Sequence, residues 1–248
     1  WLGFTVATAL IGTVIGSLAV GRPTDRIGRR ATLVWMAIFY FISAVGSGIA
    51  WDWGSFNFFR FLGGLGVGGA SGVCPMYIAE ISPARVRGRL VAVQQFNIVL
   101  GILLAYLSNY LIARLDLGEH AWRWMFGVEA IPAAAFFFLL FTVPRSPRWL
   151  VAQGRLEEAR AALASFGTDS GSVDEEIRTI QQSLDVDHHS LADPLFQAKY
   201  RVPIMLAVAI AAFNQLSGIN ALMYYAPQIF KMAGAAADSA LLQSVIVG

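Results

Sequence analysis

Between residues 21 and 30 the chain reads G-R-P-T-D-R-I-G-R-R, which contains four arginines and one aspartate. This decad separates two apolar runs, at 2–20 and 31–50. Each run has about the 20 residues that a helix needs to cross the hydrocarbon core of a bilayer. A short cationic connection between two such runs predicts a tight turn at a membrane face. Because short cytoplasmic loops are enriched in arginine and lysine, we expect this turn to lie inside the cell.

The composition of the whole chain agrees with a membrane protein. Of its 248 residues, 56% are hydrophobic and only 14% are charged, whereas soluble domains have about 25% charged residues. Helices satisfy their own backbone hydrogen bonds in lipid, and open sheets do not. We therefore predict an all-α, multi-pass membrane protein. The apolar runs predict spans at 2–20, 32–50, 59–79, 91–113, 124–143 and 203–230, with another starting near 239.

A polar stretch divides these spans into two groups. We predict an N-terminal transmembrane half at 1–143, a cytoplasmic helical linker domain at 144–202, and the start of a C-terminal transmembrane half at 203–248. The chain begins at Trp1 without a basic leader and stops inside an apolar run. We therefore expect it to be a fragment that is truncated at both ends.

The linker domain contains two amphipathic helical patterns. In the first, Leu156, Ala159 and Leu163 fall on one face of a helix. In the second, Ser172 and Glu175 match the capping box that starts many helices. Both patterns predict helices that bury one side against their neighbours.

Other classes of protein are poorly supported. The single cysteine, Cys74, excludes a disulfide within the chain and a thiolate metal cluster. His188 and His189 are adjacent but have no further ligands in register, so no metal site is expected. Basic residues sit at membrane edges rather than in one patch, which argues against nucleic-acid binding. Hydrolase motifs and a Walker loop are absent from the sequence, so we expect neither an enzyme nor a cofactor.

Glycines four residues apart recur in the first and third spans, at Gly12 and Gly16 and at Gly64 and Gly68. Small residues at this spacing let helices approach closely in a membrane. The third span also matches G-x-G-x-x-G from residue 64 to residue 69. A dinucleotide site needs a strand before that motif, so its position inside an apolar helix excludes this function.

Uncharged polar side chains cluster in the last complete span. Polar groups are costly in lipid and are therefore functional candidates. Amides supply hydrogen-bond donors and acceptors together, which suits a neutral polyol better than an ion. The cluster comprises Asn214, Gln215, Ser217, Asn220, Tyr224 and Tyr225. A second group, Gln94, Gln95 and Asn97, begins the fourth span and is a candidate for the facing wall. The alternative is hydrogen bonding between helices that only holds the bundle together.

Two charged residues fall inside spans at a similar, outer-leaflet depth. Arg60 begins the third span and Glu129 lies about one and a half turns into the fifth. A carboxylate in lipid must pair with a cation or take up a proton, because its charged form is poorly solvated there. We predict a proton-linked Glu129–Arg60 pair; the alternative is a static ion pair.

Opposite charges also meet at the cytoplasmic edge. Asp25 lies among the arginines of the decad, and Glu80 and Arg87 flank the next cytoplasmic connection. Ion pairs between these helix ends would latch one conformation shut. The alternative is simple anchoring by positive charge on the inner side.

Several motifs resemble a known family. The decad is similar to the signature loop of the major facilitator superfamily. P-M-Y-I-A-E-I-S-P-A-R-V-R-G, P-R-S-P-R-W-L and Q-L-S-G-I-N-A-L-M-Y-Y resemble its sugar porter branch. L-S-N-Y-L-I-A-R and Y-Y-A-P-Q-I-F-K are especially similar to bacterial D-xylose–proton symporters. The resemblance implies family helices two to seven and the start of eight of a twelve-helix transporter. It also implies alternating access around a midplane sugar site.

The resemblance implies roles for individual residues. The substrate-binding set is Gln95, Asn214, Gln215, Asn220 and Tyr225. The proton-coupling pair is Arg60 and Glu129. The cytoplasmic gate network, which stabilises the outward-facing state, is Asp25, Arg29, Arg30, Glu80, Arg87 and Arg148. The implied partners are a monosaccharide (pentose or hexose), protons and the lipid bilayer of the plasma membrane, with a monomer as the full-length form. The expected function is proton symport of the sugar; the alternatives are a facilitative uniporter and a non-transporting sugar sensor.

The sequence departs from the family pattern at three places. Asn214 replaces the first glutamine of Q-Q-L-S-G-I-N and is one methylene shorter. Ile102 replaces a residue that is polar in the xylose-type pattern. Arg145 turns the usual P-E-S-P-R into P-R-S-P-R. This last change removes an acceptor from the gate network and adds a donor.

Overall fold

The computed structural model describes the chain except for residues 1, 83–85, 116, 166–169, 192–196, 198–199, 219–224, 227, 231 and 234–248. Within the described part the regular structure is entirely helical and contains no strand, which confirms the all-α fold. The structure has two compact units. One comprises Trp1–Ile98 with Ile112–Gln181, and the other comprises Val99–Leu111 with Gln182–Gly248.

The helices are α1 (Leu2–Ala19), α2 (Gly21–Ile27), α3 (Arg29–Ile49), α4 (Trp53–Ile81), α5 (Arg87–Ala113), α6 (Ala121–Gly127), α7 (Ala130–Leu139), α8 (Pro147–Ala152), α9 (Leu156–Ser165), α10 (Ser170–Leu191) and α11 (Arg201–Leu216). A 3₁₀ turn, Gly118–His120, precedes α6. Among the described residues, α3, α4 and α5 are long and apolar enough to cross a membrane. Helices α1 and α2, bent by 49°, form a fourth span if they are counted as one.

The decad is more regular than its sequence predicts. Residues 21–27 form the short helix α2 rather than a tight turn, and α2 ends at Gly28. Gly28 has a φ of 90°, a conformation that is easily reached only without a Cβ atom. The break between the two helices is therefore one residue long, and α3 begins immediately after it.

Two predicted spans are interrupted in the structure. The predicted 124–143 span consists of α6 and α7, and the chain tightens between them because Glu129 N–H donates to the Phe126 carbonyl three residues back (3.2 Å). In the predicted 203–230 span, α11 ends at Leu216. Gly218 follows with a φ of 77°, a conformation that is easily reached only without a Cβ atom.

Glycines bring α1, α3 and α4 into backbone contact. A Cβ added at Gly64 or Gly68 would overlap the carbonyl of Ala9 or Thr13 on α1. A Cβ at Gly66 would lie 2.9 Å from the Met36 carbonyl on α3. The close approach predicted from glycine spacing is therefore confirmed, and the G-x-G-x-x-G match serves helix packing.

Hydrogen bonds join the ends of these helices at both sides of the membrane, as expected for spans that alternate in direction. At the outer end, the indole N–H of Trp53 on α4 donates to the Thr5 hydroxyl on α1 (3.2 Å). Arg123 on α6 donates to the Gly48 carbonyl at the end of α3 (3.2 Å). At the inner end, the Tyr77 hydroxyl donates to the Pro144 carbonyl (2.5 Å). The core next to that end comprises Val20, Leu33, Ala37, Val73, Tyr77 and Leu140.

Helices α8, α9 and α10 form the polar region after the fifth predicted span. Ala159 and Leu163 are buried on α9, as predicted, and Val173 and Ile177 are buried on α10. The capping-box prediction at residue 172 is wrong, because α10 already begins at Ser170. The three-part division of the chain stays a prediction.

Candidate functional site

The innermost turn of α3 carries a buried ion pair. Arg29 Nη2 and Nε lie 2.9 Å and 3.0 Å from Oε1 of Glu80 on α4. The two side chains are only 12% and 9% exposed. Arg29 Nη1 also lies 3.2 Å from Asp25 Oδ1, and Asp25 is 75% exposed. The structure thus brings together three of the residues that the sequence assigns to the cytoplasmic gate.

Two residues that sequence reasoning missed complete this cluster. The Ser146 hydroxyl donates to the second carboxylate oxygen of Glu80 and accepts the backbone N–H of Trp149 (3.2 Å). The Trp149 indole N–H donates to the Asp25 carbonyl (2.9 Å). A signal was present, because a serine followed by proline is typical of a helix start. Ser146 caps α8 and holds Glu80 at the same time.

Arg30, another predicted gate residue, has different partners. The Arg30 guanidinium donates to the Phe141 carbonyl (3.1 Å) and lies over the Phe141 ring, with Cζ 5.7 Å from its centroid. Arg148 lies half-buried on α8. Arg87 begins α5, and its side chain lies outside the described part of the chain. Among the described residues, Arg30 is therefore not joined to the carboxylates that hold Arg29.

The predicted Glu129–Arg60 pair has a different geometry from a direct salt bridge. Glu129 accepts a hydrogen bond from the Tyr40 hydroxyl on α3 (3.2 Å). Arg60 lies over the Phe126 ring, with Cζ 5.1 Å from the centroid, and it acts on Glu129 through its charge. Among the described residues, the half-buried Glu129 carboxylate thus has one direct hydrogen-bond donor, Tyr40, which sequence reasoning missed.

The predicted sugar ligands are divided between the two units. In the first, Gln95 is exposed on α5, while the side-chain oxygen of Gln94 is buried and has no hydrogen-bond partner among the described residues. In the second, Gln215 is exposed at the end of α11 and Tyr225 is half-buried. Asn220 and the side chain of Asn214 lie outside the described residues. Their assignment to a sugar site remains a prediction.

Apolar helices of spanning length, with an ion pair at their edge and a half-buried carboxylate among them, define a multi-pass helical membrane protein. The chain belongs to the sugar transporter family: the profile described as "Sugar (and other) transporter" matches residues 1–248. The family recognised from the sequence motifs is thereby confirmed. The relatives reported below are transporters rather than enzymes.

Curated relatives match along the whole chain. The D-xylose-proton symporter of Escherichia coli (strain K12) is 41% identical, with 100% of this chain and 54% of that protein covered. The glucose transport protein of Synechocystis sp. is 39% identical, with 99% and 54% covered. The chain spans about half the length of these relatives.

A solved structure agrees with the fold. The xylose transporter from E. coli, in a partially occluded inward-open conformation, superimposes with a TM-score of 0.85 and 38% identity. The match covers 99% of this chain and 56% of that chain. The fold is therefore that of about half of a major facilitator transporter.

Proposed function

We propose that the full-length protein carries a monosaccharide across the plasma membrane by alternating access, in symport with protons. The proposal for the sugar is supported by the relatives, which are named for D-xylose, glucose and arabinose. A related structure contains 6-bromo-6-deoxy-D-glucose, with 38% identity and a TM-score of 0.84. The substrate class is therefore a pentose or a hexose.

The observation that best supports proton coupling is the environment of Glu129. This carboxylate lies in an apolar bundle, accepts a hydrogen bond from Tyr40 (3.2 Å) and is influenced by the charge of Arg60. Ionisable groups at such depth are costly and typically mark proton or ion pathways. Because Arg60 makes no direct bond to Glu129, the carboxylate can take up a proton without breaking a salt bridge.

The gate in this proposal is the cluster around Arg29. Breaking a buried pair leaves an uncompensated charge at a cost of about 3–5 kcal/mol. An ion pair of this kind between α3 and α4 stabilises whichever conformation keeps it intact. Arg145 enters this region as a cation where the family pattern has an acid, and it faces Glu158 at 3.7 Å.

A facilitative uniporter is the second candidate, because the name of the Synechocystis glucose transport protein specifies no coupling to protons, and that relative is about as similar to this chain as the named proton symporters are. Uptake by the full-length protein in proteoliposomes separates the two. Collapsing the proton gradient should abolish accumulation by a symporter and leave equilibration by a uniporter unchanged. A sensor would show sugar binding without uptake in either condition.

The sugar site is tested with Gln215→Ala in the full-length protein. We expect sugar affinity to fall at least about fivefold, because losing polar contacts to a bound hydroxyl costs about 1–3 kcal/mol. Gln153→Ala, an equivalent change at an exposed position after α8, is the matched control. Unchanged affinity in a correctly folded Gln215→Ala variant would remove Gln215 from the site.

A further inference from the structure

A cavity of about 360 Å³ lies at the cytoplasmic end of α3, beside Phe141 and the start of α8. Its lining includes Arg29, Arg30 and Arg145, and no carboxylate is present among the described residues that line it. The volume is within the range of roughly 300–1,000 Å³ that is typical of ligand sites. The proposed sugar and proton pathways do not use this cavity.

The three arginines are not equally available. Arg29 is matched by two carboxylates, Glu80 and Asp25. Arg30 donates to the Phe141 carbonyl, a partner that brings no negative charge. A guanidinium has five N–H donors, so Arg30 keeps donors and a full positive charge for a further ligand.

Arg145 adds a second excess charge. Its Nη1 atom is 3.7 Å from Glu158, which also forms a close ion pair with Arg155. One carboxylate therefore faces two cations. Arg145 remains 48% exposed, and a weak, exposed pair of this kind contributes little. Its guanidinium is free to turn toward an anion.

A neighbouring concavity of about 340 Å³ is also lined by Arg30 and Arg145, but Glu158 forms part of its wall. That carboxylate repels an anion. The two arginines therefore direct an anion to the acid-free cavity on their other side.

The remaining wall of the acid-free cavity is apolar. Val34, Trp35 and Ile38 line it along the next turns of α3, together with Phe141. Trp35 and Phe141 are 53% and 54% exposed, and indole rings favour the membrane interface. A small soluble anion would bind the arginines and leave the apolar wall exposed. An anionic lipid would bind the same arginines and bury the wall under its acyl chain.

We propose that this cavity binds one anionic phospholipid of the cytoplasmic leaflet. Arg30 and Arg145 hold the phosphate, since planar guanidinium groups bind phosphate oxygens in pairs. The first part of an acyl chain lies against Trp35 and Ile38. The cytoplasmic leaflet is rich in anionic lipids, and basic pockets between transmembrane helices on that side bind their headgroups.

The test is a lipid titration of the purified full-length protein in detergent, followed by native mass spectrometry. Phosphatidylglycerol and phosphatidylcholine with identical chains are compared. We expect one phosphatidylglycerol to bind at low concentration and phosphatidylcholine to bind more weakly. Arg30→Gln/Arg145→Gln should weaken phosphatidylglycerol binding about 25-fold, as the product of roughly fivefold for each arginine. Equal binding of both lipids would overturn the proposal.

A matched control removes the same charge elsewhere on this face. Arg22→Gln/Arg26→Gln changes two exposed arginines of α2 that do not line the cavity. It should leave the discrete phosphatidylglycerol adduct intact. If it weakens the adduct as much as the cavity variant does, the attraction is diffuse and the site assignment fails. The single variant Arg145→Gln, at an exposed position, should retain the fold and weaken binding about fivefold.

Competition identifies the source of the phosphate. Inorganic phosphate and glycerol 3-phosphate share the headgroup chemistry but lack acyl chains. We expect neither to displace phosphatidylglycerol at equal concentration. Trp35→Ser should weaken the binding of phosphatidylglycerol without changing the binding of the two small phosphates. Displacement by either small anion at equal concentration would show a site for soluble phosphate instead of lipid.

Discussion

The Tyr40 hydroxyl lies 3.2 Å from Oε2 of Glu129 and donates a hydrogen bond to it. This contact joins the middle of α3 to the junction between α6 and α7. It gives the half-buried carboxylate a neutral partner and leaves Arg60 to act only through its charge. Tyr40 is therefore a positioning residue for the proposed proton-coupling group.

Removing this hydroxyl should impair coupling more than sugar binding. For Tyr40→Phe in the full-length protein, we expect proton-driven accumulation to fall about tenfold, since a hydrogen bond to a charged group is worth about 1.5–3 kcal/mol. Sugar affinity should stay within about twofold, because Phe retains the ring. A double-mutant cycle with Glu129→Gln supplies the control. The same tenfold loss in the Glu129→Gln background would show that Tyr40 acts independently of that carboxylate.

The Arg29–Glu80 pair should contribute strongly to stability. Glu80→Gln removes the main charged partner of Arg29, whose side chain is only 12% exposed. The expected destabilisation is about 1–3 kcal/mol, because Asp25 still faces Arg29. This should appear as a lower melting temperature of the purified full-length protein.

The matched control for Glu80→Gln is Glu157→Gln. Glu157 pairs with Arg160, but its own side chain is 87% exposed, so solvent screens the interaction. We expect no measurable change in melting temperature. Equal shifts for the two variants would mean that burial of the Arg29–Glu80 pair has no energetic consequence.

Adding one methyl group between α1 and α4 should destabilise the protein. In Gly68→Ala the new Cβ meets the Thr13 carbonyl, and backbone atoms cannot rotate away. Overpacking of this kind costs about 1–3 kcal/mol. Gly72→Ala on the same helix is the control, because its nearest atom is Val20 Cγ1 at 3.8 Å. Gly68→Ala should have a lower melting temperature than Gly72→Ala. Similar melting temperatures would contradict close backbone packing between α1 and α4.

The first turn of α4 should depend on pH through Asp52. Hydrogen bonds from Ser55, above all from its backbone N–H (2.6 Å), hold the pKa of Asp52 below its ordinary value. A lowered pKa in the folded state means that the cap stabilises the helix above the unfolded pKa of about 3.9. That stabilisation is lost as the pH falls through the folded pKa.

Hydrogen exchange of the backbone amides at the start of α4 measures this effect, after correction for intrinsic rates. Protection in the wild type should decrease between mildly acidic and strongly acidic pH. Asp52→Asn keeps a capping side chain without a titrating group, so its protection should not change in that range. Equal pH dependence in both proteins would assign the effect to another group.

The sequence predicted the features that depend on local pattern. Spanning helices follow from the length of apolar runs, and the close approach of α1 and α4 follows from Gly64 and Gly68. Charge at a membrane edge identified Asp25 and Glu80 as candidates for ion pairs, and the family resemblance added Arg29 to the same network. The family followed from motifs that combine these constraints.

The side-chain partners of Glu129 and Arg30 could not be predicted, because they depend on which faces of the helices are in contact. A tyrosine in an apolar span looks like an ordinary core residue, and Tyr40 is 89 positions from Glu129. Adjacent helical residues point about 100° apart, so Arg30 cannot follow Arg29 toward Glu80. It reaches Phe141 instead. The family resemblance placed the two arginines in one network, and a motif match does not show the direction in which each side chain points.

The close contacts at the glycines of α4 also affect how the helices can move. Gly64 and Gly68 set its backbone against α1, and Gly66 sets it against α3. At these points there is no side chain that could change rotamer and absorb a displacement. We therefore expect α1 and α3 to move together with the part of α4 between Gly64 and Gly68 when the transporter changes conformation.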